Sequence, residues 1–173
     1  RSMHGDDLHI MAGNVATLEA FDSLASWGAD SIRVGIGGGS ICSTRLVSGH
    51  GMPTFNSILE CARTTYDVKI IADGGIKNTG DMVKAFAAGA DFVMVGSMLA
   101  GTAETPGEVF VSTTVPYRGS VKHLLQDIVG GIRSGLSYSG VRSLEHLRSK
   151  ASFILQSNAS QLESNTHILT RNR

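Results

Sequence analysis

Residues 35–45 combine a dense run of glycines with a cysteine and hydroxyl side chains. Glycine lets the backbone approach a ligand closely and adopt positive φ, and backbone N–H groups exposed in this way bind anions such as phosphate. Cys42, near the end of this segment, is a candidate nucleophile, because an accessible cysteine among polar groups reacts as its thiolate. The alternative is structural: the glycines form a flexible turn, and Cys42 packs as a small apolar residue.

Three other segments place glycine and a polar side chain at the end of an apolar run. They are Gly13-Asn14, Asp73-Gly74-Gly75 and Gly96-Ser97. Structural alternatives stay open here too. Asp73 can cap a turn with its two glycines, and Ser97 can be the N-cap of a following helix.

The elements that position these segments follow from the hydrophobic pattern. Short apolar runs predict strands near residues 8–12, 31–36, 68–72 and 91–95. Apolar residues at helical spacing predict helices over Thr17 to Trp27, Thr54 to Thr65 and Gly80 to Ala88. Apolar strand, glycine-rich turn and amphipathic helix, repeated in this order, are typical of parallel βα units.

Parallel βα units bind their ligands at the carboxyl ends of the strands. The four segments of glycine and polar residues are therefore expected to share one edge of the sheet and one site. A doubly wound sheet stays open as an alternative, but no GxGxxG motif follows the first predicted strand, so barrel geometry fits better. The pattern predicts an α/β fold of four βα units followed by C-terminal helices.

Composition restricts the class of protein. Fifteen Lys and Arg balance fifteen Asp and Glu, so no basic surface predicts a nucleic-acid partner. No apolar run approaches the ~18 residues of a membrane span, and no signal peptide is visible. Two cysteines do not form a disulfide framework, which favours the reducing cytoplasm, and Cys61 is expected to pack inside a helix. The six histidines lack the spacing of a zinc site.

Taken together, the segments resemble the second half of the catalytic barrel in the inosine 5′-monophosphate (IMP) dehydrogenase and GMP reductase family. The matching segments are Ala12 to Val15, Arg33 to Thr44, Ile71 to Ile76 and Met94 to Gly101, and the resemblance continues to Glu163-Ser164. It implies a TIM (β/α)₈ barrel of which residues 1–173 form the C-terminal portion, within one catalytic domain. Because a complete barrel needs ~250 residues, we expect the chain to be part of a larger enzyme.

The resemblance implies a covalent mechanism at Cys42. Its thiolate would add to C2 of the purine of IMP, a hydride would pass to NAD, and water would hydrolyse the adduct to xanthosine 5′-monophosphate. Thr44 resembles the threonine that helps to position this water. In the related reductase, ammonia leaves GMP and NADPH returns a hydride.

The resemblance also implies how the nucleotide is held. Asp73 would accept the ribose hydroxyls. The groups expected to hold the 5′-phosphate are Ser40, Gly75, Gly96 and Ser97. Asn14 and Arg33 resemble residues that face the dinucleotide, although Arg33, inside a strand, has the alternative of a structural ion pair. Further nicotinamide-side residues are expected in the first half of the barrel.

A monovalent-cation site and an assembly are implied as well. The carbonyl groups of Gly37, Gly39 and Cys42 resemble the potassium loop of the family, which Glu163 from a neighbouring subunit would complete. The resemblance therefore predicts a homotetramer.

The resemblance implies that the residues that distinguish the two reactions belong to a flap, which is shortened or missing here between about residues 108 and 115. Elsewhere, Arg33, Ser97 and Glu104 to Gly107 resemble dehydrogenases more closely, whereas Ile10 to Asn14 and Ser57 to Ala62 resemble reductases. The balance favours NAD-dependent oxidation of IMP in guanine nucleotide biosynthesis. NADPH-dependent GMP reduction is the alternative. A non-catalytic half-barrel that binds purine nucleotides is a second alternative, disfavoured because binding alone needs neither Cys42 nor Thr44.

Overall fold

The computed structural model describes residues 5–39, 42–107 and 115–163. Its strands are β1 (Met11–Val15), β2 (Ser31–Val34), β3 (Lys69–Asp73) and β4 (Phe92–Met94). Its helices are α1 (Leu18–Ser26), α2 (Thr44–Ser48), α3 (Thr54–Cys61), α4 (Thr79–Ala88), α5 (Val121–Tyr138), α6 (Leu144–Lys150) and α7 (Asn158–Glu163). No helix among the described residues is long and apolar enough to cross a membrane.

The four strands form one parallel sheet in the order β1-β2-β3-β4. Parallel crossovers are right-handed, so a strand order that never reverses places the connecting helices on one face of the sheet. The predicted parallel βα units are thereby confirmed. A doubly wound sheet reverses its strand order, and the sheet of the described residues contains no such reversal.

The two faces of the sheet differ in their cover. On the helix side, Ile32, Val34 and Ala72 are fully buried in the core, where helices contribute Phe21 and Ile58 among others. Side chains alternate between faces along a strand, so Arg33, Ile71 and Asp73 lie on the other face. The edge strands expose large apolar side chains on this second face, with Met11 52% and Phe92 58% exposed.

Two Gly-Ala-Asp motifs connect neighbouring strands at the amino-terminal edge of the sheet. They are Gly28-Ala29-Asp30 and Gly89-Ala90-Asp91. In the first motif, Asp30 accepts a hydrogen bond from the backbone N–H of Ile10 at 2.6 Å. In the second, Asp91 accepts one from the N–H of Ile70 at 2.8 Å and also pairs with Arg148 of α6 at 3.1 Å. Each carboxylate thus satisfies an N–H at the start of the preceding strand and sets where pairing begins.

Some predicted boundaries were wrong. The first strand lies at Met11–Val15 rather than 8–12, because pairing starts where the Asp30 and Ser31 groups bond to Ile10. The helix predicted over Gly80 to Ala88 is α4, which begins one residue earlier, at Thr79. The helix predicted over Thr54 to Thr65 is α3, which ends at Cys61. There the chain turns, and the Thr64 hydroxyl donates to Asp22 of α1.

The short helix α2, which begins two residues after Cys42, was not predicted. Cys61 is fully buried, as expected. Its burial is the main cause that raises the pKa of its thiol to about 12, and the negative charges of Glu60 and Asp22 add to this effect. This cysteine therefore stays protonated and acts as core packing.

Candidate functional site

The glycine-rich segments after β2 and β3 pack backbone against backbone. A Cβ on Gly35 would lie 1.8 Å from the carbonyl oxygen of Asp73, and one on Gly74 would lie 3.1 Å from the carbonyl carbon of Gly38. No side chain larger than hydrogen fits at Gly35 without displacing β3. Glycine is required here for close approach, and the contact brings two of the predicted segments to one edge of the sheet.

Cys42 lies among hydrogen-bond donors. Its Sγ is 3.2 Å from the Thr44 hydroxyl, and the thiol is free and half-buried. The Thr44 hydroxyl and then the Thr44 backbone N–H are the main causes that lower the pKa of Cys42 below its ordinary value. Burial opposes them, and the backbone N–H groups of Gly37 and Gly39 add the smallest lowering effects. Donors directed at sulfur favour the thiolate, so the loop prepares Cys42 to act as a nucleophile. The structural alternative, a buried apolar Cys42, does not describe this environment.

Arg45 supports the same loop, and sequence reasoning missed it. Its guanidinium donates to the carbonyl of Met52 at 3.0 Å. Cβ atoms on Gly37 and Gly51 would lie within 2.7 Å of the Arg45 side chain, so this side chain fills the space above both glycines. It therefore packs across the loop that ends in Cys42. Its partners lie within the same loop, but their contact depends on how that loop folds back on itself, which no helix or strand period indicates.

Asp73 is the centre of a second cluster. Its Oδ2 accepts a hydrogen bond from Asn14 Nδ2 at 2.7 Å and an ion-paired one from Arg33 at 2.7 Å. Asn14 also donates to the carbonyl of Gly35 at 2.8 Å. The structural ion pair considered for Arg33 is present, whereas its role and that of Asn14 toward a dinucleotide stay predictions.

Register and a β-bulge explain how this cluster forms. Arg33 pairs with Ile71, so Asp73, two residues farther along β3, lies diagonally next to Arg33 on the same face. Between β1 and β2, Gly13 pairs with Arg33, but Val15 rather than Asn14 pairs with Val34. The extra residue leaves Val15 buried on the helix side, and the Asn14 side chain reaches Asp73 across the open face.

The predicted phosphate-binding residues are only partly described. Gly75 has a φ of +79°, and Gly96 begins a turn in which its carbonyl accepts from the N–H groups of Leu99 and Ala100. Ser97 lies in this turn and caps no α-helix, and the next helix within the described part of the chain, α5, is capped by Ser120. Ser40 lies outside the described residues. Phosphate binding at these positions stays a prediction.

The predicted potassium loop is described in part as well. The carbonyl of Gly39 accepts from the N–H of Cys42 at 3.1 Å. Glu163 is the last residue of α7. Across residues 5–39, 42–107 and 115–163, no group of three or more His, Cys, Asp or Glu side chains could hold a metal ion. A potassium site formed by backbone carbonyl oxygens does not depend on such side chains, and it stays a prediction.

A network missed by sequence reasoning joins the two sides of segment 108–114. Ala103 N–H donates to the carbonyl of Gly119, and the Glu104 carboxylate accepts from the Ser120 hydroxyl at 2.6 Å and from the Val121 N–H at 2.7 Å. These two donors lower the pKa of Glu104. The turn after β4 and the start of α5 are thereby held together.

An apolar groove of about 960 Å³ lies between α3, α4 and residues 152–156. Phe153 covers part of it, with its ring 4.9 Å from that of Phe55 in an edge-to-face arrangement. The groove touches Gly38 and Arg45 of the cysteine loop and also Gly74 and Gly75, but not Cys42 or Asp73. It therefore borders the two glycine-rich segments without containing the thiol or the carboxylate.

Comparisons with known proteins agree on one family. The model of the IMP dehydrogenase / GMP reductase domain matches residues 1–114 and 110–167. A GMP reductase of Leishmania major is 39% identical over 205 residues, covering 94% of this chain and 42% of the relative. An IMP dehydrogenase of Bacillus subtilis is 41% identical over 202 residues, covering 93% of this chain and 41% of the relative.

A solved structure is similar over almost the whole chain. It is GMP reductase from Trypanosoma brucei in complex with guanosine 5′-monophosphate, with a TM-score of 0.90, 36% identity, and coverage of 97% of this chain and 43% of that one. The chain thus spans less than half the length of each of these three relatives.

Proposed function

The chain belongs to the IMP dehydrogenase / GMP reductase family, and on that premise we propose that it carries the nucleophilic cysteine of a purine 5′-monophosphate oxidoreductase. The observation that carries this proposal is the pairing of Cys42 with the Thr44 hydroxyl at 3.2 Å, together with the donors that lower the pKa of the thiol. Nucleotide binding alone gains nothing from a thiol prepared in this way.

The chain is proposed to be the C-terminal part of one catalytic (β/α)₈ domain. Support comes from the sequential strand order and from the second sheet face, on which Met11 and Phe92 are exposed. Among the described residues, no strand pairs with the outer edges of β1 and β4. Strands from the rest of the barrel would pair with both edges and cover this face. The alignment with the Leishmania protein extends over 205 positions, more than the 173 residues of the chain, and the family model matches in two blocks that meet at residues 110–114. Both facts support a shortened flap between about 108 and 115.

Oxidation of IMP to xanthosine 5′-monophosphate is the proposed reaction. The Cys42 thiolate forms a bond to C2, and the C2–H bond breaks with its electron pair. Water then replaces sulfur at C2, which releases the product and returns the thiol. The proposed role of Thr44 is to hold this water, which its position 3.2 Å from the sulfur supports. Reduction of GMP is the second candidate, favoured by the Leishmania relative and by the nucleotide in the Trypanosoma structure.

A nicotinamide cofactor, NAD for the oxidation or NADPH for the reduction, accepts or supplies the hydride when bound. Both amide N–H groups of Asn14 are used on Gly35 and Asp73, so its Oδ1 is the atom that remains for a contact with the cofactor. Arg33 uses one terminal nitrogen on Asp73. Both residues stay candidates for facing the dinucleotide, and further cofactor-binding groups are expected in the first half of the barrel.

Potassium and the homotetramer belong to the same proposal. The Gly39 carbonyl keeps one lone pair after bonding to the Cys42 N–H, so it fits a cation ligand beside the carbonyls of Gly37 and Cys42. Glu163 of the partner subunit would complete the site. Such a cation would order the loop that carries the nucleophile.

The proposal is tested by replacing Cys42 with serine in the complete enzyme. A hydroxyl near pH 7 is far less ionised than a thiol, so we expect Cys42→Ser to abolish turnover while binding of IMP and GMP persists. Assays with IMP plus NAD and with GMP plus NADPH separate the two candidate reactions. Mass spectrometry of the wild type during turnover is expected to detect an adduct on the peptide that contains Cys42. Normal turnover by Cys42→Ser with either substrate pair would refute the covalent mechanism.

A further inference from the structure

Both protein donors in the Asp73 cluster use the same carboxylate oxygen. Asn14 and Arg33 each approach Oδ2 at 2.7 Å. A carboxylate oxygen has two lone pairs, so Oδ2 is saturated. No hydrogen bond from any described residue reaches Oδ1, and the Asp73 side chain remains 21% exposed. One oxygen is therefore held by the protein, and the other is available to a ligand.

The position of Asn14 is tightly determined. It bridges two acceptors, the Gly35 carbonyl at 2.8 Å and the Asp73 carboxylate, which identifies the bridging atom as the amide nitrogen rather than the oxygen. One side chain thus links β1 to the end of β2 and the end of β3. Because Gly35 itself lies against the backbone of Asp73, the carboxylate is held in direction as well as in place.

We propose that Asn14 and Arg33 are positioning residues for ribose recognition: by saturating Oδ2 of Asp73, they leave Oδ1 as the single acceptor for the sugar hydroxyls. The inference rests on the proposed function, which places the ribose on Asp73. A carboxylate held in one orientation loses little entropy when the ligand binds. A site built to bond a hydroxyl also rejects analogues that lack it, because its polar group is then left unpaired. The cluster therefore sets a preference for ribonucleotides over 2′-deoxyribonucleotides.

Two other roles of Asn14 and Arg33 would give different results in binding and stability measurements. Residues that bind the dinucleotide would change the KM for NAD or NADPH and leave the affinity for the nucleoside monophosphate unchanged. A purely structural ion pair would lower stability and leave the ribose preference unchanged. Positioning residues change the affinity for the ribonucleotide and the preference together.

The test measures binding without turnover, by titration calorimetry of the complete enzyme with GMP and with 2′-deoxy-GMP. Arg33→Leu and Asn14→Leu are each expected to weaken GMP binding by roughly tenfold or more, the usual effect of losing a hydrogen bond to a charged group. Binding of 2′-deoxy-GMP is expected to weaken less, so the preference falls. Arg33→Lys is expected to retain most of the preference, because Arg33 uses one terminal nitrogen on Asp73. In an Asp73→Ala background, Arg33→Leu should cause no further loss.

Arg148 offers a matched control at the opposite edge of the sheet. Its ion pair with Asp91 spans 3.1 Å with side chains 34% and 23% exposed, close to the 38% and 21% of the Arg33–Asp73 pair. Arg148→Leu is expected to lower stability and to leave the preference for GMP at the wild-type value.

The results that would overturn the inference differ from the result that would overturn the proposed function. An Arg33→Leu enzyme that keeps the wild-type preference, or that changes only the KM for the dinucleotide, overturns the inference while leaving the proposed function in place. A wild-type enzyme that binds neither nucleotide overturns the proposed function, and this inference with it.

Discussion

Gly35 is the position where the packing of the site is most sensitive to a single methyl group. An added Cβ would lie 1.8 Å from the Asp73 carbonyl oxygen, whereas ordinary contact begins at 3.4 Å, so β2 and β3 would have to separate locally by about 1.6 Å. The φ of +146° at Gly35 adds backbone strain of about 1–3 kcal/mol. We expect Gly35→Ala to lower the free energy of unfolding by about 3 kcal/mol or more.

Two other glycines separate the steric effect from the conformational one. Gly49 has a φ of +71° and no atom within 4 Å of an added Cβ, so Gly49→Ala is expected to cost only about 1–2 kcal/mol of backbone strain. Gly130, inside α5, has neither feature, and Gly130→Ala is expected to stabilise the helix by roughly 0.5–1 kcal/mol.

Urea unfolding of the complete protein, followed by circular dichroism, measures all three variants. Gly35→Ala is also expected to weaken nucleotide binding, because the displaced backbone is that of Asp73. If Gly35→Ala and Gly49→Ala differ by less than about 1 kcal/mol, the close packing of the two loops has been overestimated and the reasoning fails.

Two pH-dependent predictions follow from the hydrogen bonds described above. Thr44→Val removes the hydroxyl that is the main cause of the low pKa of Cys42, so the pH profile of alkylation by iodoacetamide is expected to move to higher pH; an unmoved profile would contradict that cause. The folded pKa of Glu104 lies below its ordinary 4.5, so its stabilising effect is present above that pH and is lost as the pH falls through the folded value. Glu104→Gln should therefore lose less unfolding free energy than the wild type on acidification below about pH 4.5, and parallel stability curves for the two proteins would count against the Glu104 contacts.

Much of the local architecture was predictable because it depends on short-range periodicity. Apolar runs and glycine stops predicted all four parallel strands and three of the helices, with boundary errors of a few residues. The resemblance to the IMP dehydrogenase and GMP reductase family, read from short motifs, is confirmed. The sequence places Cys42 and Thr44 two residues apart in one loop, but their hydrogen bond was not predicted.

Contacts between distant residues depended on the register of the sheet. Arg33 and Asp73 are 40 residues apart, and Asn14 and Asp73 are 59 apart, so no local pattern indicates that they meet. The bulge at Asn14 illustrates the reason: one extra residue in β1 decides which face a side chain reaches, and strand propensity does not specify it. The contact of Glu104 with the start of α5 joins residues 17 apart and was likewise not indicated by a local pattern. The sequence by itself determined which chemical groups the site contains and the parallel units that carry them. Only the tertiary structure decided which groups meet, because strand register and backbone packing are properties of the whole sheet.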